Sequence, residues 1–356
     1  MIKSISVKNL NSKHNLDIEF NDDINLFTGK NGSSKTTLLK LIWFINGGQI
    51  FNLLNEINFE YVLVCTEKAK ICIERDLEKG TVKLQINEGQ PQTINEDDIR
   101  HLNMRHPRFR KTLMDLQAIA EPTIFFPTFR RIEGGFSTGR ERVNFQASDS
   151  LREALNELSS NLSFGNQRFV ASISTEDLVI LITKEYARIT ESINKLQKSQ
   201  SDSIISKIQN RRTGEKEGEL LDAIQMEIQE TEERRQEMNR PFSTLADLIQ
   251  KIFQHKGISL SNLTIGEVGN AISSEKLSAG EKQMLSFLCY NTFTKRSSIF
   301  IDEPELSLHP DWQRTLVPTL IAQGNENQFF MATHSPFIYA KYPDKEIMLG
   351  DDKGDN

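Results

Sequence analysis

The most constraining stretch of this chain is a junction. The short, more continuous apolar run Ile24–Phe27 leads into Gly29-Lys30-Asn31-Gly32-Ser33-Ser34-Lys35-Thr36-Thr37, and a helical pattern follows without a break. Leu38, Leu39, Leu41, Ile42 and Ile45 supply the buried face of that helix. A short, largely apolar strand of this kind reads as buried on both faces, and one that runs straight into a helix is built for a parallel crossover, not a hairpin. The junction therefore predicts an α/β core. It also predicts a chemistry. Backbone N–H groups of Gly29, Asn31, Gly32, Ser33 and Ser34, together with the helix N-terminus around Thr37, make a cradle for a β-phosphate. Lys35 would neutralise the β- and γ-phosphates, and the Thr36 hydroxyl would hold Mg²⁺. Ser34 stands where the pattern G-x-x-x-x-G-K-[ST] carries glycine. Its Cβ crowds the closest backbone approach and disfavours the angles the loop needs, so weaker binding or slower turnover is expected.

Length and composition set the surroundings. At 356 residues the chain exceeds one ordinary core, so two lobes or one domain with a large insertion are expected. Its 37% hydrophobic and 26% charged residues describe a soluble globular protein. No stretch approaches the roughly 18 apolar residues of a membrane span, and the first residues lack a secretory signal. Cys65, Cys72 and Cys289 have no metal-ligand or C-x-x-C spacing, which suits a reduced, cytoplasmic setting. A net charge of −6 argues against bulk coating by nucleic acid, but a local basic groove stays open. Arg105 to Lys111, with Phe109 interleaved, and the pair Arg140 and Arg142 are the candidates; a solvated charged face is the commoner outcome for such clusters.

Alternation at Ile5, Val7, Leu16, Ile18 and Phe20 predicts half-buried antiparallel strands, and short strands recur over Val62–Cys65, Ile71–Ile73 and Val82–Ile86. Loops with short helices are expected between about 100 and 180. From about Lys184 to Met238 proline is absent and Ile189, Ile193, Leu196, Ile204, Ile205, Ile208, Leu220, Leu221, Ile224 and Ile228 recur at helical spacing. With a break at Arg211–Gly218 this reads as a helical hairpin, either a short antiparallel coiled coil or surface helices packed on the core. The expected division is 1–130, the first part of the α/β head; 131–260, a mostly helical insertion with the hairpin near 184–240; and 261–356, the last part of the head.

Three further motifs carry chemistry. The strand Ser298–Ile301 ends in Asp302-Glu303; paired carboxylates at the edge of a buried strand are costly unless used, and the competing reading is a pair of acids capping the helix after Pro304. Asp302 can hold Mg²⁺ and Glu303 can orient and polarise an attacking water. Leu277-Ser278-Ala279-Gly280-Glu281-Lys282-Gln283 is a capped helix start that offers a hydroxyl and free N–H groups to an anion. His334, in Ala332-Thr333-His334-Ser335-Pro336, can donate to a γ-phosphate, although a lone histidine in a turn is usually structural.

Four motifs in this order resemble the ATP-binding-cassette ATPases. The resemblance implies an α/β P-loop ATPase head, a mixed sheet plus an antiparallel β subdomain, with an inserted helical hairpin. It implies ATP and Mg²⁺ as cofactors, and Ser278 and Gly280 contacting the γ-phosphate held by a second protomer's Lys35, so that two copies close head-to-tail. Leu306 to His309 would follow as the D-loop. The run Asp302 to Pro310 with the His334 turn is similar to the branch containing chromosome-maintenance ATPases, RecF-type repair proteins and the overcoming-lysogenization-defect family. Phe125 to Glu133 resembles a Pro-x-x-Arg-Arg segment of stand-alone ATPases in phage-defence operons of retron-associated, Septu and PARIS type, although Arg130 and Arg131 read equally well as salt-bridge partners. No convincing Q-loop glutamine is found; Gln117 and Gln146 are the candidates. The chain has no room for a fused Toprim nuclease, so any nuclease is expected on a separate polypeptide.

The leading expectation is an ATP-hydrolysing, slowly turning over ATPase with catalytic Lys35, Glu303 and His334. It would dimerise or form a higher oligomer around ATP and control a separate nuclease or toxin as the sensor or regulator of an antiphage system, without a membrane. A non-hydrolysing ATP-dependent scaffold, a RecF-like DNA-repair factor and, last, a transporter cassette are the alternatives.

Overall fold

The computed structural model describes residues 1–96, 107–128, 131–132, 157–163, 165–173, 175–209, 217–252 and 277–350. From the N-terminus these form β1 (Ile2–Leu10), β2 (His14–Glu19), β3 (Ile24–Thr28), α1 (Lys35–Asn46) and α2 (Ile50–Glu56). Next come β4 (Tyr61–Thr66), β5 (Lys70–Asp76), β6 (Thr81–Ile86), β7 (Gln92–Asn95), α3 (Pro107–Ile119) and β8 (Thr123–Phe126). Two-residue β9 (Arg131–Ile132), β10 (Gln167–Phe169) and β11 (Ser172–Ile173) precede the long helices α4 (Thr175–Gln209) and α5 (Glu217–Ile252). The last part holds α6 (Ala279–Thr292), β12 (Ser298–Asp302), α7 (Pro310–Ala322), β13 (Gln328–Ala332), α8 (Pro336–Tyr339) and β14 (Glu346–Met348).

The alternating stretches build an antiparallel sheet ordered β2-β1-β4-β5-β6-β7, whereas the continuous apolar runs build a parallel sheet ordered β10-β8-β12-β13-β3-β14. Every residue of β3, β8, β12 and β13 is buried, as strands covered on both faces require. One face of the parallel sheet, through Phe27, Phe125, Phe300 and Phe330, joins α1 and the inner face of the antiparallel sheet in one core. The opposite face, through Leu26, Ile124, Ile299, Ile301 and Met331, packs on α6, α7 and the roots of α4 and α5. The phenylalanines form a ladder across the strands: Phe169 on Phe125, Phe125 on Phe300, Phe300 on Phe330 and Phe330 on Phe27, with centroids 4.9–6.4 Å apart. Such pairs add about 0.5–1.5 kcal/mol each beyond burial. The buried Gln328 side chain accepts from Ile2 N (2.9 Å) and donates to Ile2 O (2.7 Å), stitching β13 to the first strand of the other sheet.

The hairpin helices are longer than the sequence pattern suggests, because α5 continues through Pro241. Proline removes one intrahelical bond, but Phe242, packed on Tyr186 and Phe293, and the buried Leu245 and Ile249 anchor the helix beyond it. Farther out, Ile205, Ile208, Leu221 and Ile228 are at least half exposed, so this end of the hairpin does not bury the apolar stripe that the periodicity assigns to it. Residues 210–216, with most of the expected break, lie outside the described residues. No described helix is long and apolar enough to cross a membrane.

Candidate functional site

Because β8, β12, β13 and β3 run parallel, all four end on one edge of the sheet, and the loops that leave them meet there. That edge collects Gly29–Thr36 after β3, Asp302 and Glu303 at the end of β12, Thr333 and His334 after β13, and Thr128 after β8. Residues 266 positions apart touch: Thr36 Oγ1 lies 3.0 Å from each carboxylate oxygen of Asp302, which is 1% exposed.

The loop wraps back on its own lysine. Lys35 Nζ donates to Gly29 O (2.8 Å) and Lys30 O (3.1 Å). Burial pushes its pKa down, against the opposing pull of Glu303, Asp302 and Glu305. Gly29 has φ +139°, and a Cβ there would lie 2.3 Å from Leu349 O, so this position requires glycine. Asn31 and Gly32 are exposed at the tip, and the buried Ser33 Oγ has no hydrogen-bond partner among the described residues. An orphaned hydroxyl inside a ring of loop amides suits an anionic phosphate oxygen as acceptor. Ser34 adopts φ 69°, ψ 23°, the left-handed conformation that disfavours a Cβ. The strain expected from the sequence is therefore present. Asn11 Nδ2 donates to Ser34 Oγ and Thr37 Oγ1, each at 3.3 Å, clasping the turn from the end of β1. Ser34→Gly should relieve about 1 kcal/mol of backbone strain. The expected result is an unchanged or higher Tm with ATP bound several-fold more tightly; weaker binding would mean that the Asn11–Ser34 clasp matters more than the strain.

At the end of β12, Glu303 also has a left-handed backbone, φ 51°, while its N–H still bonds Ala332 O at 2.9 Å. Strained backbone of this kind persists where surrounding structure over-determines it. Burial, then the neighbouring Glu305 and Asp302 carboxylates, raise the Glu303 pKa to about 8, with Lys35 acting in the opposite direction. His334 Nε2 lies 3.5 Å from Glu303 Oε1. Glu305 shapes the histidine turn: Thr333 Oγ1 donates to one of its oxygens (2.8 Å) and His334 N to the other (2.6 Å).

Ser278 caps α6. Its hydroxyl accepts from Glu281 N, and the Glu281 carboxylate accepts from Ser278 N, a reciprocal capping box. Ser278 is exposed. Gly280 is buried, and a Cβ there would come within 2.3 Å of Ser307 O, so its bareness lets α6 pack on the turn after β12. Gln283 Nε2 donates to Pro304 O (2.9 Å) in that same turn.

Sequence reasoning missed Thr128, Asn11, Glu305 and Gln283 as members of this constellation. Gln117, sought as a Q-loop residue, is exposed on α3 beside Gly48, and Gln146 lies outside the described residues. So do Arg105, His106, Arg130, Arg140 and Arg142. His309 caps α7, its Nδ1 accepting from Asp311 N at 3.3 Å.

The family of the AAA ATPase domain matches residues 1–339, which takes in every one of these loops. The chain belongs to that family. It is 29% identical over 101 residues to the retron Vc95 probable ATPase of Vibrio cholerae serotype O1 biovar El Tor, covering 25% of this chain and 20% of that protein. It is 38% identical over 63 residues to the endonuclease GajA of Bacillus cereus (strain VD045), covering 16% of this chain and 11% of that one. The matches thus span a fifth or less of these relatives' own length. The Smc head bound to the C-terminal winged-helix domain of ScpA shares the fold at 13% identity and TM-score 0.50, over 99% of this chain and 95% of that one. The AAA ATPase domain here therefore shares the fold of the Smc head, and parts of the chain are similar to retron ATPases and GajA.

The donor set fits Mg²⁺. A carboxylate and a hydroxyl are hard oxygen ligands, and Mg²⁺ typically takes one or two carboxylates plus substrate phosphates and waters. Among the described residues no group of three or more His, Cys, Asp or Glu side chains is placed to hold a metal, so an ion at Thr36 and Asp302 would draw its remaining ligands from nucleotide and water.

Proposed function

We propose that this chain is an ATP-operated switch: two copies close head-to-tail over two ATP molecules, hydrolyse them slowly, and through that cycle control a separate effector in antiphage defence. The observation that carries it is the split of the motifs. Lys35, Thr36, Asp302, Glu303 and His334 share one edge, while Ser278 stands exposed and, among the described residues, bonds within its own helix cap. A second copy would bring Ser278 and the N–H groups at the start of α6 to the γ-phosphate. In each protomer Gly29, Asn31, Gly32, Ser33, Ser34 and Thr37 would line the phosphate cradle, and Lys35 would leave the loop carbonyls for phosphate oxygens. Thr36 and Asp302 would hold Mg²⁺, which when bound supplies charge neutralisation to the β- and γ-phosphates. Glu303 would take a proton from the attacking water, and His334 would donate to the γ-phosphate. Likeness to retron ATPases and to the endonuclease GajA supports the defence reading and a nuclease or toxin as effector. The hairpin, whose outer part leaves Ile205, Ile208, Leu221 and Ile228 at least half exposed, is the natural element for that contact, and the setting is the cytoplasm.

A mixing experiment tests the shared site. Lys35→Ala loses its own phosphate cradle, and Ser278→Arg blocks the lid it lends. Each alone should be inactive, yet a head-to-tail pair of the two keeps one complete site, with lysine from one copy and serine from the other. Turnover that reappears on mixing supports the dimer; two folded variants that stay inactive at every ratio would overturn it.

A further inference from the structure

The exit of β8 reaches the same carboxylate as the phosphate loop. β8 pairs in parallel with β12 up to Phe126 opposite Ile301. Two residues later Thr128 donates its hydroxyl to Asp302 Oδ2, the oxygen that Thr36 Oγ1 also approaches at 3.0 Å. Asp302 is almost fully buried, and two hydroxyls reach it, one from the exposed Thr36 in the first turn of α1 and one from the half-buried Thr128 just past the neighbouring strand. Beyond Thr128 the chain forms β9, which pairs with β11, and this short ribbon packs on α6. A single hydroxyl thus joins the proposed metal carboxylate to the segment that supports the helix starting at Ser278.

We propose that Thr128 is a positioning residue of the metal site: by holding one oxygen of Asp302 it fixes the carboxylate so that the other faces the divalent cation. This rests on the reading of Thr36 and Asp302 as the metal-holding pair. The physical reason is the strictness of Mg²⁺, which demands near-ideal octahedral geometry and tolerates a rotating carboxylate poorly. Groups that orient a ligand are worth about 10–100-fold in metal affinity. Thr36 would serve both the cation, through its oxygen lone pair, and the carboxylate, through its proton, whereas Thr128 would hold the carboxylate without touching the cation.

The test is a thermal-shift titration of Mg²⁺ into the full chain at saturating, non-hydrolysable ATP analogue, with the EDTA sample as baseline. The readout is the Mg²⁺ concentration giving half of the stabilisation. Thr128→Val, which keeps the shape and removes the hydroxyl, should raise that concentration about 10-fold. Thr128→Ser should restore the wild-type value. Asp302→Asn and Thr36→Val are run alongside. If those two shift the midpoint and Thr128→Val does not, the positioning role is overturned while the metal pair stands. If none of the three shifts it, the metal pair itself is misassigned. A Thr128→Val protein whose EDTA baseline falls, with no change in the Mg²⁺ midpoint and no rescue by serine, shows a packing role and also overturns the proposal.

Discussion

Glu303→Gln is expected to lower ATP turnover by about 10²–10⁴-fold, the range in which a positioned general base contributes, while leaving ATP binding intact. Glutamine keeps the size of the side chain and its 3.5 Å approach to His334 but cannot take a proton. The ATP-bound dimer should then accumulate, visible as a doubled mass by light scattering with ATP and a monomer without it. Phosphate release at the wild-type rate would remove Glu303 from the mechanism. Proton dependence gives a second handle. Burial and the nearby Glu305 and Asp302 carboxylates raise the Glu303 pKa from 4.5 to about 8, so the nucleotide-free protein holds this side chain largely protonated near neutrality. Its kcat/KM should therefore climb with pH toward about 8, and that limb should vanish in the glutamine variant. Stability moves the other way. Between pH 4.5 and about 8 the folded chain binds a proton that the unfolded chain has released, so wild-type stability falls as pH rises through the window. Glutamine carries no such dependence, and the Tm advantage of Glu303→Gln over wild type should widen from pH 5 to pH 8.5 in the absence of nucleotide.

Lys35→Ala is the second large effect. Truncating one partner of a buried charge interaction costs about 2–5 kcal/mol, so ATP affinity should fall by roughly 100-fold or more. The loss does not stop at binding. Lys35 opposes the upward pull on the Glu303 pKa, and without it the acid cluster retains its proton more strongly. Turnover should therefore stay depressed even at ATP concentrations that fill the site. Recovery of full turnover at saturating ATP would show that Lys35 only binds. Equilibrium titration with a fluorescent ATP analogue, paired with steady-state kinetics, separates these outcomes.

What could be read from the chain beforehand follows from how far apart the interacting residues lie. The β3–loop–α1 junction announces itself because its apolar run, its glycines and its helical period are neighbours in sequence, and the structure realises it as β3 (Ile24–Thr28) and α1 (Lys35–Asn46). β12 and β13 were legible for the same reason. Thr128, Glu305 and Gln283 were not, because each acts through a polar contact to a distant turn that leaves no periodicity behind. Thr128 lies inside a segment whose two arginines drew the attention instead. Ser34 is a partial success: a non-glycine residue in that loop predicts a left-handed strain that the structure contains, but the asparagine clasping it comes from another strand. The hairpin shows the opposite failure. Its helical period reads clearly, yet period alone does not say which apolar residues find partners, and Ile205, Ile208, Leu221 and Ile228 do not find burial.

The bond between Thr36 and Asp302 closes a loop of 266 residues, and Gln328 closes one of 326 onto Ile2. A chain emerging from the ribosome therefore presents β3 with neither of its sheet neighbours, β13 and β14, until both have been made. Until then Leu26 and Phe27 have no sheet to enter and the strand edge is a template for aggregation. Products cut short before β12 should need chaperones or be degraded, and no nascent molecule can capture nucleotide between Thr36 and Asp302 before β12 has left the ribosome.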